Sequence, residues 1–227
     1  MSKPTLNQDD QTSQANRSSA QFLVVSMARS AGKLTLFVVT SVVLLLLTRA
    51  LTEPMIAEVQ RNTLLSSFNQ VLPAQQYDNA LLEDTLLLDT PEQMAALGAS
   101  SPVTVYRARK NNQPVGLILT TTAPNGYSGN ITLLMAVLAD GSVSGVRVLS
   151  HKETPGLGDK IELDKHDWIL SFNGLTLTQD NVNTWAVKKD GGQFDQFTGA
   201  TITPRAVVAT VKQTLSWVNQ QGAVLYE

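Results

Sequence analysis

The sequence predicts an α+β protein: an antiparallel sheet of at least four strands packed with helices, preceded by one N-terminal transmembrane helix. Three observations carry that reading. Leu34 to Thr48 is an uncharged apolar run between Lys33 and Arg49. Short alternating segments joined by tight turns follow from about 102 to 148. An amphipathic helix, Pro204 to about Asn219, closes the chain.

The 227 residues, 43% of them apolar, suffice for one domain or two small ones with a real core. A net charge of -2, from 17 basic and 19 acidic residues, supplies no positive field to hold nucleic acid. The absence of cysteine excludes disulfides, thiolate nucleophiles and cysteine-ligated zinc or iron–sulfur centres on this chain.

Residues 1–30 read as a flexible tail, since the first twenty are rich in Ser, Gln, Asn and Thr and poor in apolar residues. The run from Leu34 to Thr48 rises only about 22 Å as a helix. Snorkelling of Lys33 and Arg49 extends the embedded span to 31–52, enough for a hydrocarbon layer of roughly 30 Å. A buried core helix fits poorly, because the run is apolar on every face. A cleaved signal peptide also competes, with Thr48 and Ala50 as small cleavage-site residues, but its leader would be long and its spacer almost nil. Lys3, Arg17, Arg29 and Lys33 precede the span, and Glu53 and Glu58 follow it. The positive-inside rule then puts the N-terminus in the cytoplasm, and in a Gram-negative cell the C-terminal part of the chain in the periplasm.

Residues 53–100 read as a helical stalk and linker. Thr52-Glu53-Pro54 looks like a helix start, Ile56, Val59, Leu64, Leu65, Phe68 and Val71 recur at helical spacing, and Pro73 stops the helix near Leu72. Residues 101–227 read as the extracytoplasmic domain. Val103 to Ala108, Val115 to Thr121, Ile131 to Leu138 and Val143 to Val148 are its strands, and turns this short make neighbours antiparallel. A helical segment near Asp164 to Phe172 and the last helix cover the sheet. Val207, Val211, Leu215 and Val218 share the packed face of that helix, and Trp168 and Trp185 read as core or its edge.

Two segments stand out chemically. Asp195-Gln196-Phe197-Thr198-Gly199-Ala200-Thr201 ends in a hydroxyl just before a helix start, with Thr203 as N-cap and Pro204 at the first helical position. A phosphate on Thr201 would meet unpaired N–H groups and the positive end of the helix dipole. The loop Glu153-Thr154-Pro155-Gly156-Leu157-Gly158-Asp159 lets a flat ligand approach the backbone, although taken alone an ordinary proline–glycine turn is the better explanation of it. The two histidines, His151 and His166, have no zinc spacing, and no serine sits in a nucleophile elbow. Glu153, Asp159, Glu162, Asp164 and Asp167 read as a solvated acidic loop rather than a metal or catalytic site.

The segment Asp195-x-x-Thr198-Gly199-Ala200-Thr201 resembles the flavinylation motif of bacterial FMN-binding domains. The Glu153 to Lys160 loop, Gly126-Tyr127-Ser128-Gly129 and Ala186 to Gly192 are similar to one branch of them, the G subunits of Rnf-type ion-translocating electron transport complexes, related to the C subunits of sodium-pumping NADH:quinone reductases. The resemblance implies FMN joined by its phosphate to Thr201 by a flavin transferase that uses FAD. It gives Gly199 and Ala200 the part of leaving room for that enzyme, places Asp195 in its recognition signal, and counts Thr198, where serine is the alternative in the motif, among the cofactor-binding residues. Backbone N–H groups from Ala200 to Thr203 would bind the phosphate. Glu153, Thr154 and Leu157 would border the ring, and Lys188 or Lys189 would balance negative charge; both lysines fit a solvated surface equally well. The implied protein is an electron carrier of a bacterial inner-membrane complex, with the other Rnf subunits as partners, linking a ferredoxin-like pool and NAD to ion movement. A membrane-anchored flavoenzyme with its own reductase substrate and a flavin-free scaffold are the competing classes.

Overall fold

The computed structural model describes residues 8–226, and the first residues of the expected tail lie outside them. Two compact units divide the chain, one reaching to Asn62 and the other running from Thr63 to Glu227.

The first unit belongs to a helix, α1 (Gln8–Val71), whose last turns, from Thr63, are part of the second unit. Helix therefore occupies residues 8–30, where the sequence reads as a polar tail; no proline or glycine interrupts that stretch. Within Ala31–Val71 lies a window of mean hydropathy 2.3, long and apolar enough to cross a membrane. Leu34, Phe37 and Leu45 are about two-thirds exposed, at 68%, 70% and 68%. Apolar side chains exposed on all faces suit a hydrocarbon solvent, so the helix is consistent with a single-pass anchor rather than a core helix.

A second helix does not start at Thr52. The Thr52 hydroxyl donates to Thr48 O at 2.9 Å instead of accepting a capping bond, and Pro54 lies inside α1. Helices absorb such a hydroxyl by bonding back one turn. The predicted stop holds: α1 ends at Val71, ahead of Pro73.

The second unit is built on a five-stranded antiparallel sheet in sequence order: β1 (Thr85–Leu88), β2 (Val103–Lys110), β3 (Gln113–Ala123), β4 (Ile131–Leu138) and β5 (Val143–Ser150). Four strands match the sequence reading. The fifth, β1, and the short helix α2 (Pro91–Ala96) fall where a stalk and linker were expected. Helix α2 carries a readable signature, a capping box between Thr90 and Gln93 with proline at the helix start. Six residues are too few to show apolar periodicity.

Both faces of the sheet are covered, which is why β4 reads as an unbroken apolar run. Leu117, Leu119, Leu133, Met135 and Val137 face one core with Trp168, Phe172, Trp185 and the last helix, α3 (Ile202–Gln221). Ile118, Leu134 and Ala136 face the other, with Phe68, Val71 and Leu72. Burying each such large side chain contributes about 1.5–3 kcal/mol. All four predicted packing residues of α3, Val207, Val211, Leu215 and Val218, are buried. A polar contact fixes its register. Thr121 on β3 donates to Leu97 O at 3.0 Å, so at the 2.8 Å contact between the Thr121 and Thr214 hydroxyls it is Thr214 that donates.

Asp84 closes the β1 end of the sheet, accepting from Arg107 Nε and Arg109 Nε at 2.6 Å each. Burial opposes its ionisation, but the Arg109 and Arg107 hydrogen bonds outweigh that and hold the carboxyl below its usual range. A depressed folded pKa stabilises the fold above the unfolded value of about 4 and is lost as pH falls through the folded value. Asp84→Asn should lower the unfolding temperature at neutral pH, and the gap to wild type should shrink as acid takes the pH down through the depressed folded value, as followed by circular dichroism.

Candidate functional site

Thr132 of β4 pairs with Ser150 of β5, so the β3–β4 loop and the chain leaving β5 emerge side by side at one end of the sheet. The N-terminus of α3 arrives between them. A cleft of about 590 Å³ opens there, lined by Tyr127 from the first loop, by Glu153, Thr154, Leu157 and Gly158 from the second, by Gly199 to Thr203, and by Lys189.

One carboxylate joins these walls. Glu153 is 4% exposed and accepts the Tyr127 N–H at 3.3 Å, the Ser128 N–H at 2.9 Å and the Thr203 hydroxyl. Asp159, also buried, follows in the same loop. The solvated reading of the acidic segment therefore fails at Glu153 and Asp159 and holds at Asp164 and Asp167, which are exposed; the Glu153 carboxylate is spent on three donors. Gly158 lets the loop sit this close, since a Cβ there would lie 2.8 Å from Thr203 Oγ1 and 2.9 Å from Glu153 Oε2.

Phe197 to Ala200 form a turn closed by the Ala200 N–H to Phe197 O bond at 3.0 Å. Gly199, third in that turn, has φ +81°, the left-handed value that a type II turn requires there. Phe197 is buried against Trp168, whose Nε1 donates to Asp195 O at 2.7 Å. The motif is therefore clamped to the core on its N-terminal side, and its last residue, Thr201, leads directly into α3.

That end differs from the sequence reading. Helix α3 begins at Ile202 with Thr201 at the N-cap position, so Thr203 is not the cap; it lies inside the first turn and is engaged by Glu153. Thr201 has φ −81° and ψ −29°, already helical, and its hydroxyl makes no capping bond. Capping side chains start from the extended region and turn back onto the second or third helical N–H, which this backbone prevents. The Ala200 N–H is used within the turn, leaving those of Thr201, Ile202 and Thr203 ahead of the first helical bond, Arg205 N–H to Thr201 O.

The basic residues divide. Lys188 pairs with Asp195 at 2.6 Å, and neither lines the cleft, nor does Thr198. Lys189 does. Its neighbour Asp190 takes two hydrogen bonds from Arg205, at 2.6 and 2.8 Å, that fix this stretch of chain to α3 and keep the Asp190 carboxyl below the usual range. Tyr127 and Ile202, 67% and 46% exposed, add apolar walls that sequence reasoning did not single out. Tyr127 stood in a quoted glycine-flanked segment; Ile202 had no signal before the helix start was known.

These residues fit FMN on this structure's own terms. A hydroxyl with no capping bond, three N–H groups at a helix N-terminus and an ammonium group suit an esterified phosphate, while Tyr127, Leu157 and Ile202 suit a flat ring. The class of the domain agrees: residues 126–216 match the FMN-binding domain family, and residues 23–71 match the RnfG N-terminal region. Among relatives, the G subunit of the ion-translocating oxidoreductase complex of Pseudoalteromonas atlantica is 51% identical over 80% of this chain and 83% of its own. The corresponding G subunits of Vibrio cholerae (46%, 85% and 90%) and Shewanella loihica (44%, 88% and 93%) are similar over most of their lengths. The chain belongs to this family, the G subunits of ion-translocating oxidoreductase complexes.

The close approach at Gly158 is testable. Gly158→Ala should cost about 1–3 kcal/mol of stability through overpacking against Glu153 and Thr203, read by denaturant unfolding.

Proposed function

We propose that this chain is a membrane-anchored flavoprotein subunit that carries FMN as a phosphoester on Thr201 and relays electrons within an ion-translocating complex. The observation that carries the reading is the Thr201 hydroxyl, uncommitted to a cap at the N-terminus of α3 on the wall of a cleft large enough for a cofactor. FMN-binding family membership and relatives named as subunits of an oxidoreductase complex support the cofactor and the setting.

Attachment is a group transfer from FAD by a flavin transferase. Thr201 Oγ1 gives up its proton and bonds to the flavin-side phosphorus, and AMP leaves with the cleaved pyrophosphate oxygen. The Thr198–Gly199 turn presents the hydroxyl, and Asp195, exposed beside it, belongs to the surface the transferase reads. Afterwards the N–H groups of Thr201 to Thr203 and the helix dipole offset the phosphate charge. Lys189, rather than Lys188, adds the cation. Tyr127, Thr154, Leu157 and Ile202 shield the ring from water, and Glu153 holds the walls without touching the reaction. FMN supplies the redox chemistry; the protein supplies position and electrostatics. A covalent tether also removes the dissociation equilibrium, which matters for a domain in the flavin-poor periplasm.

The anchor spans 31–52 of the bacterial inner membrane with its N-terminus in the cytoplasm, and the flavin domain docks on other membrane subunits that connect a ferredoxin-like donor with NAD.

Full chain from a host with the transferase should weigh more than its polypeptide by FMN less one water, with the increment on the peptide containing Thr201. Thr201→Ala should abolish flavin fluorescence on a denaturing gel while changing unfolding stability by less than about 1 kcal/mol. An unmodified wild-type mass overturns the reading. Because the chain lacks cysteine, Gln179→Cys gives a unique, exposed label site. A membrane-impermeant maleimide should label it in spheroplasts without lysis if the domain is periplasmic.

A further inference from the structure

The loop that forms the middle wall of the cleft starts from a histidine that does not line it. Two contacts fix the His151 ring: Nδ1 accepts the Glu153 backbone N–H at 2.9 Å, and Nε2 lies 2.7 Å from Glu162 Oε1. A backbone N–H only donates, so Nδ1 presents a lone pair; the proton assigned on that geometry sits on Nε2 and points to Glu162. This is the bond that Asn and Asp make to the backbone two residues on, here built from imidazole. His166 repeats it on the Trp168 N–H at 2.9 Å, where it caps the 3₁₀ turn Asp167–Phe172.

At His151 the same device acts on the residue that joins the cleft walls. Glu153 is held at both ends: its main chain by the imidazole, its carboxylate by Thr203 and the Tyr127 and Ser128 amides. With both ends fixed, the backbone of Thr154 to Leu157 is aimed at the start of α3, and Leu157 Cδ2 comes within 3.5 Å of the Cβ position of Gly199. We propose that His151 is a positioning residue of the flavin site. Its Nδ1 lone pair sets the placement of the Thr154–Leu157 wall through the Glu153 backbone. The proposal rests on the reading of the cleft as the FMN site.

The test uses the full flavinylated chain with His151→Asn, His151→Ala and His151→Gln. Asn keeps an acceptor for the N–H two residues on and loses the Glu162 contact; Ala and Gln remove the acceptor from that position. The midpoint potential and fluorescence yield of the bound flavin should stay at wild-type values in His151→Asn and shift together in His151→Ala and His151→Gln. Hydrogen exchange of the Glu153 amide, measured in the flavin-free Thr201→Ala chain, should quicken about five- to tenfold in Ala and Gln and not in Asn. If Ala unfolds the domain, the comparison of Asn with Gln decides. Equal effects in Asn and Gln, or wild-type behaviour in all three, overturn the proposal. A chain that carries no flavin at all fails the function reading instead, and the exchange measurement still decides the role of His151.

Discussion

The functional end of this domain depends on one buried carboxylate. Glu153 takes hydrogen bonds from segments 26 and 50 residues away and so holds the β3–β4 loop, its own loop and the first turn of α3 in one place. A carboxylate is suited to this because its two oxygens offer about four acceptor positions and no donor, so three donors can converge without conflict. Leaving any of them buried and unpaired costs about 1–3 kcal/mol. The site is therefore a consequence of polar satisfaction at the carboxylate that joins its walls.

Around that carboxylate most polar groups are already committed. The Thr203 hydroxyl is engaged by Glu153, the Ala200 N–H by its own turn, Asp195 by Lys188 and Asp190 by Arg205. The Thr201 hydroxyl makes no capping bond, although it stands where a threonine ordinarily caps. Forgoing the cap costs the helix about 1 kcal/mol. Its register is kept by the buried Thr121–Thr214 pair and by the packing of Val207, Val211 and Leu215, so the position of Thr201 survives the loss.

The fold was legible wherever one physical signal dominated. An uncharged run flanked by cations marked the anchor, turn residues between apolar segments marked β2 to β5, and period-four apolar residues marked α3. It was not legible where signals conflicted or were short. Thr52-Glu53-Pro54 carries helix-start chemistry, yet the Thr52 hydroxyl bonds backwards and α1 continues. Strand β1 has four residues and is stabilised by pairing with β2 and by the Asp84–arginine bonds, neither of which a local window contains.

The same division applies to the site. The sequence alone determined a hydroxyl, Thr201, just before a helix start with small residues beside it, because those features act over a few neighbouring residues; its resemblance to the flavinylation motif named Thr201 as the proposed attachment residue and the Glu153 to Gly158 loop as its proposed neighbour. Only the tertiary structure decided that Glu153 joins three segments through its carboxylate, that Lys189 and not Lys188 lines the cleft, that Tyr127 and Ile202 complete it, and that the helix begins early enough to leave the Thr201 hydroxyl without a capping bond. Each of those outcomes is set by hydrogen bonds and packing between segments distant along the chain, and such partners meet only once the sheet has brought its loops to one end.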